Sequence, residues 1–139
     1  MNYWLKSSGT LYIGEDVVRI AVSNDFGKYY RSLIDKDVRL FTGLPAHGSH
    51  ITIYRNTLHG KVPKNKLELL KKQYYKKRIS FEYNIDIIEG GAFKKFKNWY
   101  MKVRGSELDN IVSFLDIKQD FHITICNTKS GVRPYIWLK

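Results

Sequence analysis

The clearest pattern along the chain is an alternation of period two between Arg78 and Ile87. Ile79, Phe81, Tyr83, Ile85 and Ile87 are apolar, with Ser80, Glu82, Asn84 and Asp86 between them. Successive strand residues point to opposite faces, so this stretch predicts a strand with one buried face. Gly90-Gly91 predicts a turn after it, and NWYMKV at residues 98–103 a return strand. Near the start, TLYI (10–13) and VVRIAV (17–22) flank Gly14-Glu15-Asp16 and predict a hairpin. Further strands are predicted for HITIYR (50–55), FHITIC (121–126) and RPYIWL (133–138), the last two joined by the turn-rich residues 127–131.

Elsewhere the apolar spacing changes to that of a helix. Phe26, Tyr29, Tyr30 and Leu33 follow a cap at Asn24-Asp25 and predict a helix of about ten residues. Pro63 opens a second, with Leu67, Leu70 and Tyr74 on one face and lysines on the other. Ser106 begins SELD, an Asp version of the capping box, ahead of Leu108, Ile111, Val112 and Leu115, so a third helix is predicted over about 107–116. The element order is ββα, β, α, ββ, α, ββ. Short turns join most strand pairs, so the sequence predicts an α+β fold with a mostly antiparallel sheet and flanking helices. Hairpin, helix and HITI strand occur twice, which divides one domain into two related halves, about 1–75 and 76–139.

A chain of 139 residues is the length of one domain, and its 43% hydrophobic content provides a core without covalent staples. Cys126 is the one cysteine, so no intramolecular disulfide forms, which fits a reducing compartment such as the cytoplasm. No apolar run approaches the ~20 residues of a membrane span, and MNYWLKSSGT lacks the apolar segment of a secretory signal. Charge changes the picture more: 24 Lys and Arg against 13 Asp and Glu leave +11. Between residues 61 and 78 eight basic side chains meet one acid, Glu68. Such a field attracts nucleotides and RNA.

His50-Ile51-Thr52-Ile53 and His122-Ile123-Thr124-Ile125 are the same tetrapeptide. With 6 Thr in 139 residues, two such His-x-Thr spacings among 4 His arise by chance with a probability of about 1%. On a strand, each motif buries its isoleucines and presents its His and Thr together. Two such strands side by side bring two imidazoles and two hydroxyls to one cleft. A neutral His takes a proton from a hydroxyl nucleophile, an imidazolium protonates the leaving oxygen, and the Thr hydroxyls hold non-bridging phosphate oxygens. Histidine titrates near neutrality and suits both roles. The set predicts a phosphodiesterase that needs no metal or cofactor, with His50, Thr52, His122 and Thr124 as its catalytic residues.

These two H-x-T motifs, with their interleaved isoleucines, resemble those of the two-histidine (2H) phosphoesterases. The resemblance implies a bilobal, pseudo-symmetric fold and metal-independent cleavage of phosphodiesters. Small size, a Lys/Tyr-rich composition and the TLYIG hairpin look most like the phage enzymes that linearise the cyclic oligonucleotide messengers of bacterial anti-phage signalling. A cyclic di- or trinucleotide is then the implied partner. An RNA 2′,3′-cyclic phosphodiesterase is the alternative within the class, and a non-catalytic RNA-binding module the alternative outside it. Nucleotide sites commonly stack a ring on the base, and Tyr12, Trp99 and Trp137 are the candidates. His59 receives no role from the sequence. Cys126 follows the second motif in phase with His122 and Thr124, so regular alternation puts it on their face.

Overall fold

The computed structural model describes residues 3–38, 40–41, 48–74, 77–93, 96–127 and 133–134. The strands are β1 (Trp4–Ile13), β2 (Val17–Ala21), β3 (Leu40–Phe41), β4 (His50–Arg55), β5 (Arg78–Asn84), β6 (Ile88–Phe93), β7 (Phe96–Arg104), β8 (His122–Asn127) and β9 (Arg133–Pro134). The helices are α1 (Asn24–Val38), α2 (Asn56–His59), α3 (Lys64–Gln73) and α4 (Ser106–Leu115). One antiparallel sheet runs in the order β5-β1-β2-β4-β8-β7-β6. A further pairing of β5 with β7, Glu82 opposite Arg104 and Tyr83 opposite Val103, closes six of these strands into a barrel. The short strands β3 and β9 pair separately.

The fold is thus α+β and mostly antiparallel, as the alternation predicts. Each HITI strand lies beside the hairpin that precedes it: β1-β2 leads through α1 to β4, and β6-β7 leads through α4 to β8. The two motif strands therefore meet at the middle of the sheet. Beneath them Ile51, Ile53, Ile123 and Ile125 are fully buried. They share one core with Ile34 of α1, Leu67 and Leu70 of α3, and Leu108, Ile111 and Leu115 of α4. Full burial of one such side chain contributes about 1.5–3 kcal/mol, so the apolar face locks the strand register that the other face depends on.

Several boundaries differ from the sequence reading. Strand β1 begins at Trp4, not at Thr10, because its polar start Lys6-Ser7-Ser8-Gly9 is paired along its length with β5. Helix α1 runs to Val38, prolonged by buried Ile34 and an Arg31–Asp35 ion pair of 3.8 Å. Its cap is Ser23, whose Oγ accepts the Asp25 amide at 3.2 Å. Strand β5 stops at Asn84 instead of continuing to Ile87, since the Asn84 Oδ1 accepts the Asp86 amide at 2.9 Å and bends the chain. Gly90-Gly91 is not a turn but part of β6. A Cβ on Gly90 would lie 2.8 Å from Asn98 Oδ1 and 3.1 Å from the Tyr100 ring, so the glycine serves a close cross-strand approach. Among the described residues no helix is long and apolar enough to cross a membrane.

Candidate active site

Strand β4 pairs with β8 through Ile51 opposite Ile123. Continuing that antiparallel register by one residue each way sets His50 opposite Thr124 and Thr52 opposite His122. All four polar side chains of the two motifs share the face opposite the buried isoleucines. The histidines stand on one diagonal of this square and the threonines on the other. Diagonal neighbours across an antiparallel pair are about 7–8 Å apart, and direct neighbours about 4.5–5.5 Å. A phosphate-sized group fits between two imidazoles at that separation. His50, Thr52 and Thr124 are half-buried and His122 is exposed.

The backbone two residues upstream orients His50 and faces the His122 ring. His50 Nδ1 lies 2.9 Å from the carbonyl oxygen of Gly48. A carbonyl accepts, so Nδ1 carries the proton of the neutral ring. Gly48 has φ +72°, in the left-handed region that favours glycine, which accounts for the Gly of HGSH. The backbone of Asp120 faces the His122 ring and favours its protonated form. Although His122 is solvent-accessible as a residue, surrounding protein strips water from its ring, and this lowers its pKa below the usual imidazole value. The Asp120 backbone bond and then the Asp120 carboxylate pull weakly the other way.

Neighbouring strands complete two rows across the sheet. The first reads Tyr12, Arg19, Thr52, His122, Lys102, and the second Thr10, Ala21, His50, Thr124, Tyr100. Register thus selects Arg19 and Lys102 from the many basic residues as the ones flanking the motifs. The Tyr100 ring meets the His122 ring edge-on at 5.4 Å between centroids. Beside His122 opens a cavity of about 520 Å³ whose walls include Trp4, Asn98, Tyr100, Lys102, Asp120 and Phe121. That volume lies within the range of sites for small ligands. The Arg104 guanidinium stacks 4.0 Å above the Trp4 ring.

Of the three aromatic candidates, Tyr12 lies on the motif face, exposed, with the Arg19 guanidinium 4.9 Å from its ring centroid. Trp99 does not: it is 6% exposed, packed in the core opposite Cys126, and is not available to stack on a base. Trp137 lies outside the described residues. Cys126 is fully buried and not on the motif face. The cause is a register shift after Thr124: Thr124 pairs with Tyr100 but Cys126 with Trp99, so Ile125 is an extra residue on β8. Strand β4 has the same irregularity. Thr52 pairs with Arg19 and Tyr54 with Val18, so Ile53 is the extra residue and Tyr54 turns into the core.

Sequence reasoning passed over Arg19, Tyr100, Lys102 and Asp120, because their proximity to the motifs is a matter of cross-strand register. It also passed over His59, whose Nε2 lies 2.7 Å from Gln119 Oε1 and so ties the chain leaving the first motif to the loop entering the second. Among the described residues no three of His, Cys, Asp or Glu gather in a group able to hold a metal ion. Comparison with family models, with curated proteins and with solved structures returns no match to this chain.

Proposed function

We propose that this chain is a metal-independent phosphodiesterase of the two-histidine type, and that its two half-repeats form the bilobal, pseudo-symmetric fold of that family. The observation that carries the reading is the Ile51–Ile123 register, which makes one square of His50, Thr52, His122 and Thr124. An imidazole on either side of a phosphorus supplies base and acid at once, and the paired hydroxyls donate to the non-bridging oxygens. Arg19 and Lys102 on the flanking strands offset phosphate charge. The cavity beside His122 has the size of a small-ligand site, with Trp4, Tyr100 and Phe121 as its aromatic walls. The net charge of +11 draws compact polyanions. The substrate we propose is a cyclic di- or trinucleotide messenger, and the biological role a viral counter to host anti-phage signalling.

The test is turnover by the full chain of a 3′,3′-cyclic dinucleotide, a 2′,3′-cyclic mononucleotide and a long RNA at equal phosphate concentration. The cyclic dinucleotide is expected to be cleaved fastest. His50→Ala and His122→Ala are each expected to lower its turnover by at least ~100-fold, the scale of a positioned acid or base, with an unchanged melting curve. Trimming of RNA ends with the cyclic dinucleotide untouched moves the substrate to RNA. Tight binding of RNA without any product replaces the enzyme with a binding module.

A further inference from the structure

Closure of the barrel carries Trp4 round to the candidate site. Between β5 and β7, Glu82 pairs with Arg104 and Tyr83 with Val103. One residue further along this antiparallel register sets Asn84 opposite Lys102, and Asn84 is itself opposite Trp4 of β1. The row that runs through His122 and Lys102 therefore continues across the closing seam as Asn84 and Trp4. Helices α1, α3 and α4 pack on the isoleucine face. A closed sheet carries such helices on its outside, so the motif face lines the inside and the row bends back on itself. His122 and Trp4 are three strand spacings apart, about 14 Å along the sheet and less across the hollow. Both are walls of the cavity of about 520 Å³.

The indole is held at the seam. The Arg104 guanidinium stacks 4.0 Å from the Trp4 ring centroid, and Arg104 Nε donates to Glu82 Oε1 at 3.2 Å. The pair that closes the barrel thus also aims the cation at the ring. Of the three aromatic walls, Phe121 packs against the core and Tyr100 is turned edge-on to His122, whereas half-buried Trp4 does neither. A ring already fixed loses little freedom when a flat group lies against it. Lys102 stands in the row between His122 and Trp4, where a phosphate on the motifs and a base on the indole would flank it. Resting on the phosphodiesterase reading above, we propose that the cavity beside His122 receives a nucleobase of the substrate, that Trp4 is the platform on which this base stacks, and that Arg104 and Glu82 are positioning residues for the indole.

The unmodified full chain is compared with Trp4→Leu, Trp4→Phe, Arg104→Ala and the double variant of Trp4→Leu with Arg104→Ala. Turnover is followed on a 3′,3′-cyclic dinucleotide, or on RNA if RNA is what the chain cleaves. Trp4→Leu is expected to raise KM about 5- to 150-fold, the range for one base–aromatic stack, with kcat within about 3-fold. Trp4→Phe keeps a ring and is expected within about 5-fold of the unmodified KM. Arg104→Ala is expected to raise KM about 2- to 5-fold, the scale of an exposed cation–π contact. Added to Trp4→Leu it is expected to change nothing further, because its effect passes through the ring.

A dinucleotide ring without 2′-hydroxyls reports binding by itself. It is expected to quench the tryptophan fluorescence of the unmodified chain, with most of the quench lost in Trp4→Phe. Unchanged KM in Trp4→Leu, a fall in kcat alone, or the full quench persisting in Trp4→Phe overturns the base subsite while leaving the two-histidine mechanism standing. If Trp4→Leu does not fold, the quench in Trp4→Phe decides. If the unmodified chain cleaves none of the three substrates named above, the parent reading fails and the subsite with it.

Discussion

The bond between His59 and Gln119 joins segments sixty residues apart, and its loss is expected to loosen the whole candidate site. His59 ends α2, directly after the first motif strand; Gln119 precedes Asp120, which faces the His122 ring. His59→Ala removes a half-buried bond of 2.7 Å, for which a net contribution of about 0.5–1.5 kcal/mol applies. It also removes the ring from its position 5.8 Å from that of Tyr54, a loss of about 0.5–1 kcal/mol in aromatic contact. The Arg55 amide, which donates to His59 Nδ1 at 3.0 Å, is exposed, so water takes over at little cost. The total for His59→Ala is about 1–2.5 kcal/mol. A double-mutant cycle with Gln119→Ala isolates the bond: its coupling energy is expected at about 0.5–1.5 kcal/mol, read from urea midpoints by tryptophan fluorescence at constant m-value. A coupling energy below about 0.3 kcal/mol, within the scatter of independent sites, refutes the clasp.

Thr52→Val and Thr124→Val, at nearly constant volume, are each expected to lower kcat by about 100-fold without moving the melting temperature, as for a lost oxyanion donor; unchanged kcat in both removes the hydroxyls from the mechanism. Activity on the cyclic dinucleotide is expected to survive excess EDTA; loss on chelation, restored by zinc, manganese or magnesium, overturns metal independence. A histidine whose folded pKa is lowered leaves the unfolded chain binding more protons just below the ordinary value of about 6.5. Its stabilising effect is therefore fully present above that pH and is lost as pH falls from there through the folded pKa. The stability of the unmodified chain relative to His122→Asn, from urea melts, should decline between pH 7 and 5, and a constant difference contradicts the lowered pKa. Cys126, turned into the core, is expected to react with a soluble thiol reagent only on unfolding; rapid stoichiometric labelling of the native chain contradicts the bulge at Ile125.

Where one medium faced one side of an element, the sequence was a good guide. Alternation found β5 and β8, and 3.6-residue spacing found α3 and α4, because in each the burial of Ile79, Phe81, Leu67, Leu70, Leu108 and Ile111 is periodic. The paired HITI tetrapeptides were legible for the same reason. What escaped depended on relations between strands. Pairing with β5 makes a strand of the polar stretch Lys6–Gly9, and close approach to Asn98 makes a strand residue of Gly90. The barrel closure through Glu82 and Arg104 has no local signature, although the two side chains form an ion pair of 3.2 Å. Trp99 and Tyr12 were equivalent as aromatic strand residues; only the register separates the buried ring from the exposed one.

The extra residues at Ile53 and Ile125 act as parity resets. In an uninterrupted strand the side chain that faces the cleft dictates the destiny of every second residue after it. One inserted residue breaks that dependence, so each motif strand is two reading frames joined at a single position. Upstream, His and Thr answer to the cleft. Downstream, the frame answers to the core, and the two halves use it differently: Tyr54 donates to the Gly60 carbonyl at 2.9 Å and accepts the Val62 amide at 3.0 Å, pinning the linker between α2 and α3, whereas the equivalent Cys126 is a small buried thiol against Trp99. A change of anchor on the inner frame thus leaves the phase of the outer one untouched. Deleting Ile53 or Ile125 would straighten the strand at the loss of one buried isoleucine, while Tyr54 or Cys126, then directly after its Thr, would still face the core.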